Sequence, residues 1–308
     1  MFKHQTVLLQ QAVDFLVVDK DGFYIDGTFG RGGHSRLILE SLSEKGRLLV
    51  IDKDPEAIKE AQALAAVDSR VLVHHGSFAD IAECAQVYAV KGSVAGVLLD
   101  LGVSSPQLDD VQRGFSFNKD GPLDMRMNTE AGISAKEWIA TAAEEDIANA
   151  MYEYGEERFS RRMAKAIVKE RALNEIATTG QLAEIIKEAN PAWEKNKHPA
   201  TRAFQGIRIF INEELSDLQK VLADILDVLA LGGQMVIISF HSLEDRMVKQ
   251  FIRKQVKGDD FPPGLPVRQS DLNPRLKSKS KAIKVSGDEL SENVRARSAV
   301  MRVAEKIA

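Results

Sequence analysis

Four short apolar runs in the first hundred residues constrain the fold more than any other feature of the sequence. Segments with the spacing of amphipathic helices, such as 56–66, separate these runs. Each run ends on a polar residue, and the four are Phe23–Asp26, Arg47–Asp52, Val71–His74 and Val94–Asp100. Alternation of strand and helix predicts a parallel sheet, because parallel neighbours are joined by crossover helices. The nearly continuous apolar character of the runs indicates a sheet that is covered on both faces.

The middle of the chain, over residues 110–205, has a different composition. Helix-forming and charged residues dominate there, and no strand stands out. The sheet pattern returns with a helix over 212–229, a turn at 231–233, a strand over 234–240, a loop rich in Lys and Ser, and an edge strand over 299–304. We therefore predict an α/β fold with a Rossmann-like doubly wound sheet, formed by residues 1–109 and 206–308. Residues 110–205 are predicted to form a helical insert that recognises the substrate.

The charge of the chain argues against non-specific coating of nucleic acids or membranes. Its 308 residues include 41 Lys and Arg and 45 Asp and Glu, which gives a formal net charge of −4. Residues 251–308 carry 13 basic and 7 acidic residues, a net +6, which leaves −10 for the rest. A single cysteine, Cys84, excludes an intrachain disulfide and is typical of a reducing cytoplasm. No apolar run approaches the roughly 18 residues of a membrane span, so we predict a cytoplasmic protein without membrane contact.

A glycine-rich turn, Asp-Gly-Thr-Phe-Gly-Arg-Gly-Gly-His at 26–34, follows the first predicted strand. Glycines let backbone N–H groups approach a ligand closely, and the helix N-terminus behind them favours negative charge. Asp52 ends the second strand twenty residues after Gly32, where a carboxylate can accept both hydroxyls of a ribose. Phe78 follows the third strand and could lie against an adenine ring. These strand ends predict a nucleoside-bearing cofactor at the carboxyl edge of the sheet; a structural glycine turn and a packing role for Phe78 are the alternatives.

The end of the fourth strand completes a recognisable set of motifs. Asp100 and the Leu-Gly-Val-Ser-Ser-Pro-Gln segment after it would face both cofactor and substrate. With these residues, the chain resembles the MraW family of bacterial S-adenosylmethionine-dependent ribosomal RNA methyltransferases over nearly its whole length. The other segments that carry the resemblance are His4–Leu9, Gly27–Ser35, Arg113–Phe117, Gly121–Met127, Tyr154–Glu157, His198–Arg202 and Ser239–Arg246.

The resemblance implies a methyltransferase sheet that binds S-adenosylmethionine and transfers its methyl group to the exocyclic N4 of a cytidine. That cytidine would lie in the decoding region of small-subunit (16S) ribosomal RNA, and the partner would be this RNA or the assembled small ribosomal subunit. Two positions depart from expected patterns: Leu101 follows Asp100 where many amino-group methyltransferases have proline, and Val294 stands in place of a proline. The cofactor contacts implied by the resemblance are Gly32, Gly33, His34, Asp52, Phe78, Asp100 and Gln107.

Asp100 is the predicted catalytic residue. An acceptor for the N–H of cytosine N4 would help to localise the nitrogen lone pair and would later take the proton. The alternative, weighed equally, is that Asp100 only contacts the cofactor. No metal site is predicted, because the two adjacent histidines of the third strand alternate across it. Three histidines are further candidate polar partners in the substrate cleft: His34, His198 and His241.

Two basic segments are candidate RNA contacts. Residues 268–284 carry six basic residues and one acidic residue, which suits phosphate binding. Five further basic residues lie on one face of a predicted helix, within an arc of about 100° around its axis. These are Arg158, Arg161, Arg162, Lys165 and Lys169. The alternatives are a solubilising loop for the first segment and a solvated helix face for the second.

Three classes of function are compatible with these motifs, and an RNA methyltransferase is favoured. A nicotinamide-dependent oxidoreductase is the first alternative, because a glycine turn with an acid twenty residues later also serves that cofactor. The glycine spacing and the segment after Asp100 argue against it. A non-catalytic nucleoside-binding module is the second alternative. The sequence leaves the oligomeric state open, with a homodimer among the options.

Overall fold

The structure is a computed structural model that describes residues 6–192, 198–259, 268 and 272–308. The chain divides into two compact units. Unit 1 contains residues 1–102 and 215–308, and unit 2 contains residues 103–214. The predicted divisions, after residues 109 and 205, lie seven residues beyond the first of these boundaries and nine residues before the second.

One mixed sheet lies at the centre of unit 1, and its order among the described residues is β3-β2-β1-β4-β5-β8-β6, with β7 also paired to β8. The strands are β1 (Phe23–Asp26), β2 (Arg47–Asp52), β3 (Val71–His75), β4 (Val94–Asp100), β5 (Leu229–Ser239), β6 (Leu276–Ser278), β7 (Ile283–Lys284) and β8 (Val300–Lys306). The first five strands pair in parallel, and β8 pairs antiparallel to β5. The order reverses between β1 and β4, as in Rossmann-like doubly wound sheets. The predicted fold class is confirmed.

Helices connect the strands of unit 1 and form most of unit 2. In chain order the α-helices are α1 (Leu9–Leu16), α2 (Gly33–Ser41), α3 (Pro55–Val67), α4 (Ile81–Val87), α5 (Ser105–Asp109), α6 (Ala135–Thr141), α7 (Glu144–Glu153), α8 (Ser160–Arg171), α9 (Thr179–Ala189), α10 (Thr201–Ile211), α11 (Glu214–Val228), α12 (Ser242–Lys257) and α13 (Gly287–Glu292). The start of α3 follows from its sequence, because Asp54 accepts the N–H of Glu56 and proline occupies the first turn. Within the described ranges, no helix is long and apolar enough to cross a bilayer.

The sheet of unit 1 is covered on both faces, as its apolar runs predict. Neighbouring residues of one strand enter different cores: Tyr24 and Leu48 belong to one cluster, whereas Ile25 and Leu49 belong to the other. All four side chains are completely buried. Helices α1 to α3 supply the first cluster, and α4, α11 and α12 supply the second. This arrangement follows from the period of two along a strand, which sends neighbouring side chains to opposite faces.

Three predictions for the C-terminal part of the sheet are wrong. The predicted turn at 231–233 lies inside β5, where the pairing with β4 shifts register between Val94 and Gly96. The predicted edge strand, β8, is an interior strand between β5 and β6. Strands β6 and β7 form in the segment that was predicted to be a loop, and they have only three and two residues. Strands this short show no alternating pattern that could reveal them.

Unit 2 is helical, as predicted, and it has a core cluster of its own. Its one β contact in the described part of the chain is an isolated bridge between Pro122 and Thr178. This unit therefore gains its stability from helix packing around an apolar centre.

Helix α8 is amphipathic, as its sequence predicts. Met163 and Ile167 are completely buried on its inner face. The prediction is wrong for Arg158, which precedes the first residue of α8 and is therefore outside the helical face. The remaining predicted basic residues of this face are exposed: Arg161, Arg162, Lys165 and Lys169.

Candidate active site

Three carboxylates end three neighbouring strands of unit 1. Asp26 ends β1, Asp52 ends β2 and Asp100 ends β4. Because β1 pairs in parallel with both β2 and β4, all three residues lie at the same edge of the sheet. Asp26 is in register with Val50 and Leu98, so β2 and β4 each extend two residues beyond β1. Asp52 and Asp100 therefore flank the turn that follows β1.

The glycine-rich turn after β1 is held by the strands on both sides. The N–H of Gly27 donates to the carbonyl of Leu98 in β4 over 2.9 Å. The N–H of Phe29 donates to the carbonyl of Ile51 in β2 over 3.1 Å. These hydrogen bonds fix the turn against the sheet edge before any ligand is present.

Four glycines near this edge differ in what a side chain would meet. At Gly32 an added Cβ would lie 2.7 Å from an aromatic ring of the same turn, and at Gly33 it would overlap Thr6. At Gly30 and Gly102, where φ is +56° and +89°, it would meet no heavy atom within 4 Å. Packing of the turn thus requires glycine at positions 32 and 33, whereas Gly30 and Gly102 border open space near the ends of neighbouring strands.

Asp52 fixes the glycine turn through its side chain. One carboxylate oxygen accepts the N–H of Gly30 over 2.7 Å, and the other accepts the N–H of Asp54 over 2.8 Å. Burial raises the pKa of Asp52 to about 6, and these two hydrogen bonds oppose the rise. A carboxylate has about four lone-pair sites. Two sites are therefore left over, which is the number that a pair of ribose hydroxyls would use.

Asp26 is a buried acid that the sequence analysis did not identify as a site residue. Its carboxylate accepts the N–H of Thr28 over 3.1 Å and the hydroxyl of Ser35 over 2.5 Å. Burial raises the pKa of Asp26 to about 6. The hydroxyl oxygen of Thr28 in turn accepts the N–H of Asp100 over 2.6 Å. Asp26 therefore positions the turn that holds the end of β4, and its place at a strand end, like that of Asp52, was the available signal.

Asp100 combines burial with an unused oxygen. Its side chain is 22% exposed, yet Oδ1 is shielded from solvent and has no hydrogen-bond partner among the described residues. Burial raises the pKa of Asp100 well above its usual value, and the negative charges of Asp26 and Glu244 raise it further. A buried polar atom without a partner costs free energy, which a ligand that donates a hydrogen bond would recover.

His34 lies beside Asp100 in the first turn of α2. Its Nδ1 is 3.8 Å from Oδ2 of Asp100, and its side chain is 4% exposed. Burial lowers the pKa of His34 to about 4, and a hydrogen bond with the Val7 backbone opposes this only in part. The imidazole is neutral at neutral pH, so this contact is not an ion pair. Nε2 of His34 also has no hydrogen-bond partner within the described residues.

Glu244, in the first turn of α12, is a second acid that the sequence analysis missed. It is 2% exposed, and its carboxylate accepts the N–H of Phe240 over 2.8 Å and that of His241 over 3.3 Å. Nε2 of His241 lies 3.0 Å from the other carboxylate oxygen. His241 was a predicted polar partner, and here it stands at the N-cap of α12. Capping pairs usually begin with Ser, Thr, Asp or Asn, so His241 followed by Glu244 carried no clear capping signal in the sequence.

Phe78 stands three residues after the end of β3, where a short 3-10 turn begins. It is partly buried and packs against the core cluster that contains α4. Its Cβ is 3.0 Å from the position that a side chain of Gly27 would occupy. Core packing, the alternative considered for Phe78, accounts for part of its surface, and contact with an adenine ring stays a prediction.

The other predicted residues, Gln107 and His198, belong to unit 2. Gln107 is 6% exposed, and its amide oxygen accepts the N–H of Ser104 over 2.8 Å in the cap of α5. The His198 ring lies 4.6 Å from the ring of Phe117. His198 also lines a partly open pocket, which contains residues of two motif segments, 154–157 and 198–202.

The edge of the sheet in unit 1 suits a nucleoside-bearing cofactor. Asp52 offers acceptors at the end of β2, and Asp100 offers an unpartnered oxygen at the end of β4. The open positions at Gly30 and Gly102 lie beside these two acids. Ligands of doubly wound sheets bind outside the carboxyl ends of the strands, where the strand order reverses. The two acids and the two glycines all lie at this carboxyl edge of the sheet.

Comparison with known proteins gives a family and a full-length relative. The model of the MraW methylase family matches residues 1–307. A curated protein of Marinomonas sp. (strain MWYL1), named ribosomal RNA small subunit methyltransferase H, is 57% identical over 308 residues, which covers 100% of this chain and 98% of that protein.

The solved structures that match this chain have much lower sequence identity. An rRNA methylase from Streptococcus thermophilus has 10% identity and a TM-score of 0.40, with 97% of this chain and 93% of that chain covered. A SAM-dependent O-methyltransferase from Thermotoga maritima has 9% identity and a TM-score of 0.42, with 100% of this chain and 69% of that chain covered.

Proposed function

The chain belongs to the MraW methylase family, and from this premise we propose that it methylates the exocyclic N4 of a cytidine in the decoding region of small-subunit ribosomal RNA. S-adenosylmethionine is the methyl donor. Membership of a methylase family argues against the nicotinamide-dependent alternative. The name of the relative that is 57% identical supports small-subunit ribosomal RNA as the substrate. An enzyme with this substrate acts in the cytoplasm, on the RNA itself or on the assembled small subunit.

The cofactor, when bound, supplies an electrophilic methyl group on a positively charged sulfur. The task of the protein is then to hold the accepting nitrogen about 3–3.5 Å from that carbon and in line with the bond that breaks. We assign Asp52 to the ribose hydroxyls, because two of its lone-pair sites are unused. Gly30 leaves room beside Asp52 and Gly102 leaves room beside Asp100, since a Cβ at either glycine would meet no heavy atom within 4 Å.

The observation that carries the proposal for the chemistry is the unpartnered Oδ1 of Asp100. The amino group of cytosine is an N–H donor whose lone pair is delocalised into the ring. A carboxylate that accepts one N–H localises the lone pair, and it takes the proton once the nitrogen has bonded to the methyl carbon. Burial and two neighbouring acids raise the pKa of Asp100, which makes it a stronger base. His34 is neutral at this position, so it supplies no positive charge that would lower the pKa of Asp100 again.

Asp100→Asn tests this role, because asparagine keeps the size of the side chain and removes its basicity. We expect the single-turnover rate of methyl transfer to fall on the order of 100-fold. The affinity for S-adenosylmethionine, measured by calorimetry, should change far less. Equal losses in rate and affinity would show that Asp100 only contacts the cofactor, which is the alternative.

The substrate is tested by mass mapping of modified nucleosides. Small-subunit ribosomal RNA from cells with and without this protein should differ in one N4-methylated cytidine of the decoding region. Purified protein should restore the modification with S-adenosylmethionine. A non-catalytic nucleoside-binding module would bind the cofactor without restoring it.

A further inference from the structure

Helix α12 carries a row of positive charges that the proposed chemistry does not use. Its five basic residues are all exposed, while its two acids are not available to balance them. Glu244 is 2% exposed, and Asp245 forms an ion pair with Arg302 over 2.7 Å. The basic residues, which we call the α12 face, are Arg246, Lys249, Arg253, Lys254 and Lys257.

The spacing of the α12 face places all five cations on one side of the helix. At 100° per residue they fall within about 140° of each other. The opposite side contains Val248 and Ile252, which are buried in a core cluster of unit 1. From Arg246 to Lys257 the helix rises roughly 16 Å, at about 1.5 Å per residue, which is long enough to follow several phosphates of one strand.

Most of the α12 face lacks protein partners. Lys249, Arg253 and Lys254 form no ion pair or side-chain hydrogen bond within the described residues. Strand β6 lies beside the helix, because the N–H of Arg275 donates to the carbonyl of Gln255 over 2.9 Å. The side chains of Arg275 and Lys277, on and beside this strand, are also exposed and add two cations near the helix. A cluster of this kind is costly in an isolated protein because like charges repel.

We infer that the α12 face binds backbone phosphates of the RNA substrate. The inference rests on the proposed function and adds a binding surface on unit 1 to it. An acidic protein, with a net charge of −4, gains affinity for a polyanion only where its cations are segregated in this way. Val256, which is 39% exposed, is the single large hydrophobic residue of α12 that is classed as exposed. The helix therefore lacks the apolar face that binding to a lipid surface would require.

The test uses charge reversal with a matched control. Lys249→Glu with Arg253→Glu changes the net charge by −4, and Lys20→Glu with Lys59→Glu changes it equally at exposed positions elsewhere in unit 1. Binding of a small-subunit ribosomal RNA fragment is measured by fluorescence anisotropy over a range of salt concentrations. Loss of two phosphate contacts should reduce the slope of log Kd against log salt by about 1.4–1.8. The control pair should leave the slope unchanged.

Failure of this inference and failure of the proposed function are distinguishable. If wild-type protein neither binds nor methylates the RNA, the proposed function fails. If wild type is active and both variant pairs lose affinity equally, net charge explains the loss and the α12 face has no specific role. If only binding to assembled subunits is weakened, the face contacts a ribosomal protein instead of RNA. Unfolding midpoints and cofactor affinity verify folding, and Lys249→Gln with Arg253→Gln is the substitute if the reversed variant does not fold.

Discussion

Asp26→Asn tests how a buried acid limits the stability of the glycine turn. The side chain is 1% exposed, and burial raises its pKa from 3.8 to about 6. For an acid whose folded-state pKa lies above the unfolded value, the stabilising contribution is fully present below the unfolded pKa. It is lost as the pH rises through the folded pKa. A pKa difference of about 2 corresponds to about 3 kcal/mol, at about 1.36 kcal/mol for each unit.

Asparagine removes the titration while keeping the shape of the side chain. Its oxygen can accept the N–H of Thr28, and the hydroxyl of Ser35 can rotate to accept from the new amide. We expect the unfolding free energy of the variant, relative to wild type, to rise by about 1.4 kcal/mol between about pH 5 and pH 8. The rest of the loss of about 3 kcal/mol occurs below about pH 5. There Asp26 ionises in the unfolded chain but stays mostly protonated in the folded protein.

Urea unfolding at a series of pH values measures this difference, and other titrating groups cancel between the two proteins. Asp21→Asn is the control. Asp21 is exposed, and its hydrogen bond to Ser43 lowers its pKa, so it does not titrate in this window. Parallel stability curves for wild type and Asp26→Asn would refute the reasoning, because they would mean that Asp26 is ionised at the same pH in the folded and unfolded chains.

Three further predictions concern the ligands. Asp52→Ala should weaken S-adenosylmethionine binding roughly 10- to 150-fold, the usual value of about 1.5–3 kcal/mol for hydrogen bonds to a charged group; unchanged binding by calorimetry would contradict the ribose assignment. Because the pKa of Asp52 is raised to about 6, wild-type affinity should also fall as the pH drops through that value. Arg161→Glu with Lys165→Glu, on the exposed face of α8, should weaken RNA capture and flatten its salt dependence. An unaltered salt slope would make this face a solvated helix surface only.

The parallel part of the sheet could be predicted because its signals are local. The observed bounds of β1, β2 and β4 equal the predicted ones, since each is a short apolar run that ends on an acid. The errors lie where pairing depends on distant segments. Within β5 the pairing with β4 passes from Leu229 directly to Gln234, so the glycines form a bulge inside the strand, with Gly232 at a φ of +80°. A glycine pair that predicts a turn before a strand does not show that the strand already begins at Leu229.

The candidate site was predictable to a similar degree. Asp52 and Asp100 stand out because each ends a strand, and the same rule applied to β1 would have added Asp26. The electrostatic environment of Asp100 could not be predicted from the sequence, because it depends on which side chains folding brings close to this carboxylate. Its unpartnered oxygen and the charge of Glu244 are properties of tertiary structure, separated by 144 positions in the sequence.

The interior position of β8 determines when the sheet can be completed during synthesis. Translation produces the whole of unit 2 before it reaches β5 or β8, so the first half of the sheet waits with one side of β4 unpaired. Open strand edges of this kind invite pairing with other chains. A stop codon shortly before Val300 would leave β5 and β6 without β8, the strand that pairs with both. The truncated protein would be prone to aggregation, even though every residue of the candidate active site had already been made.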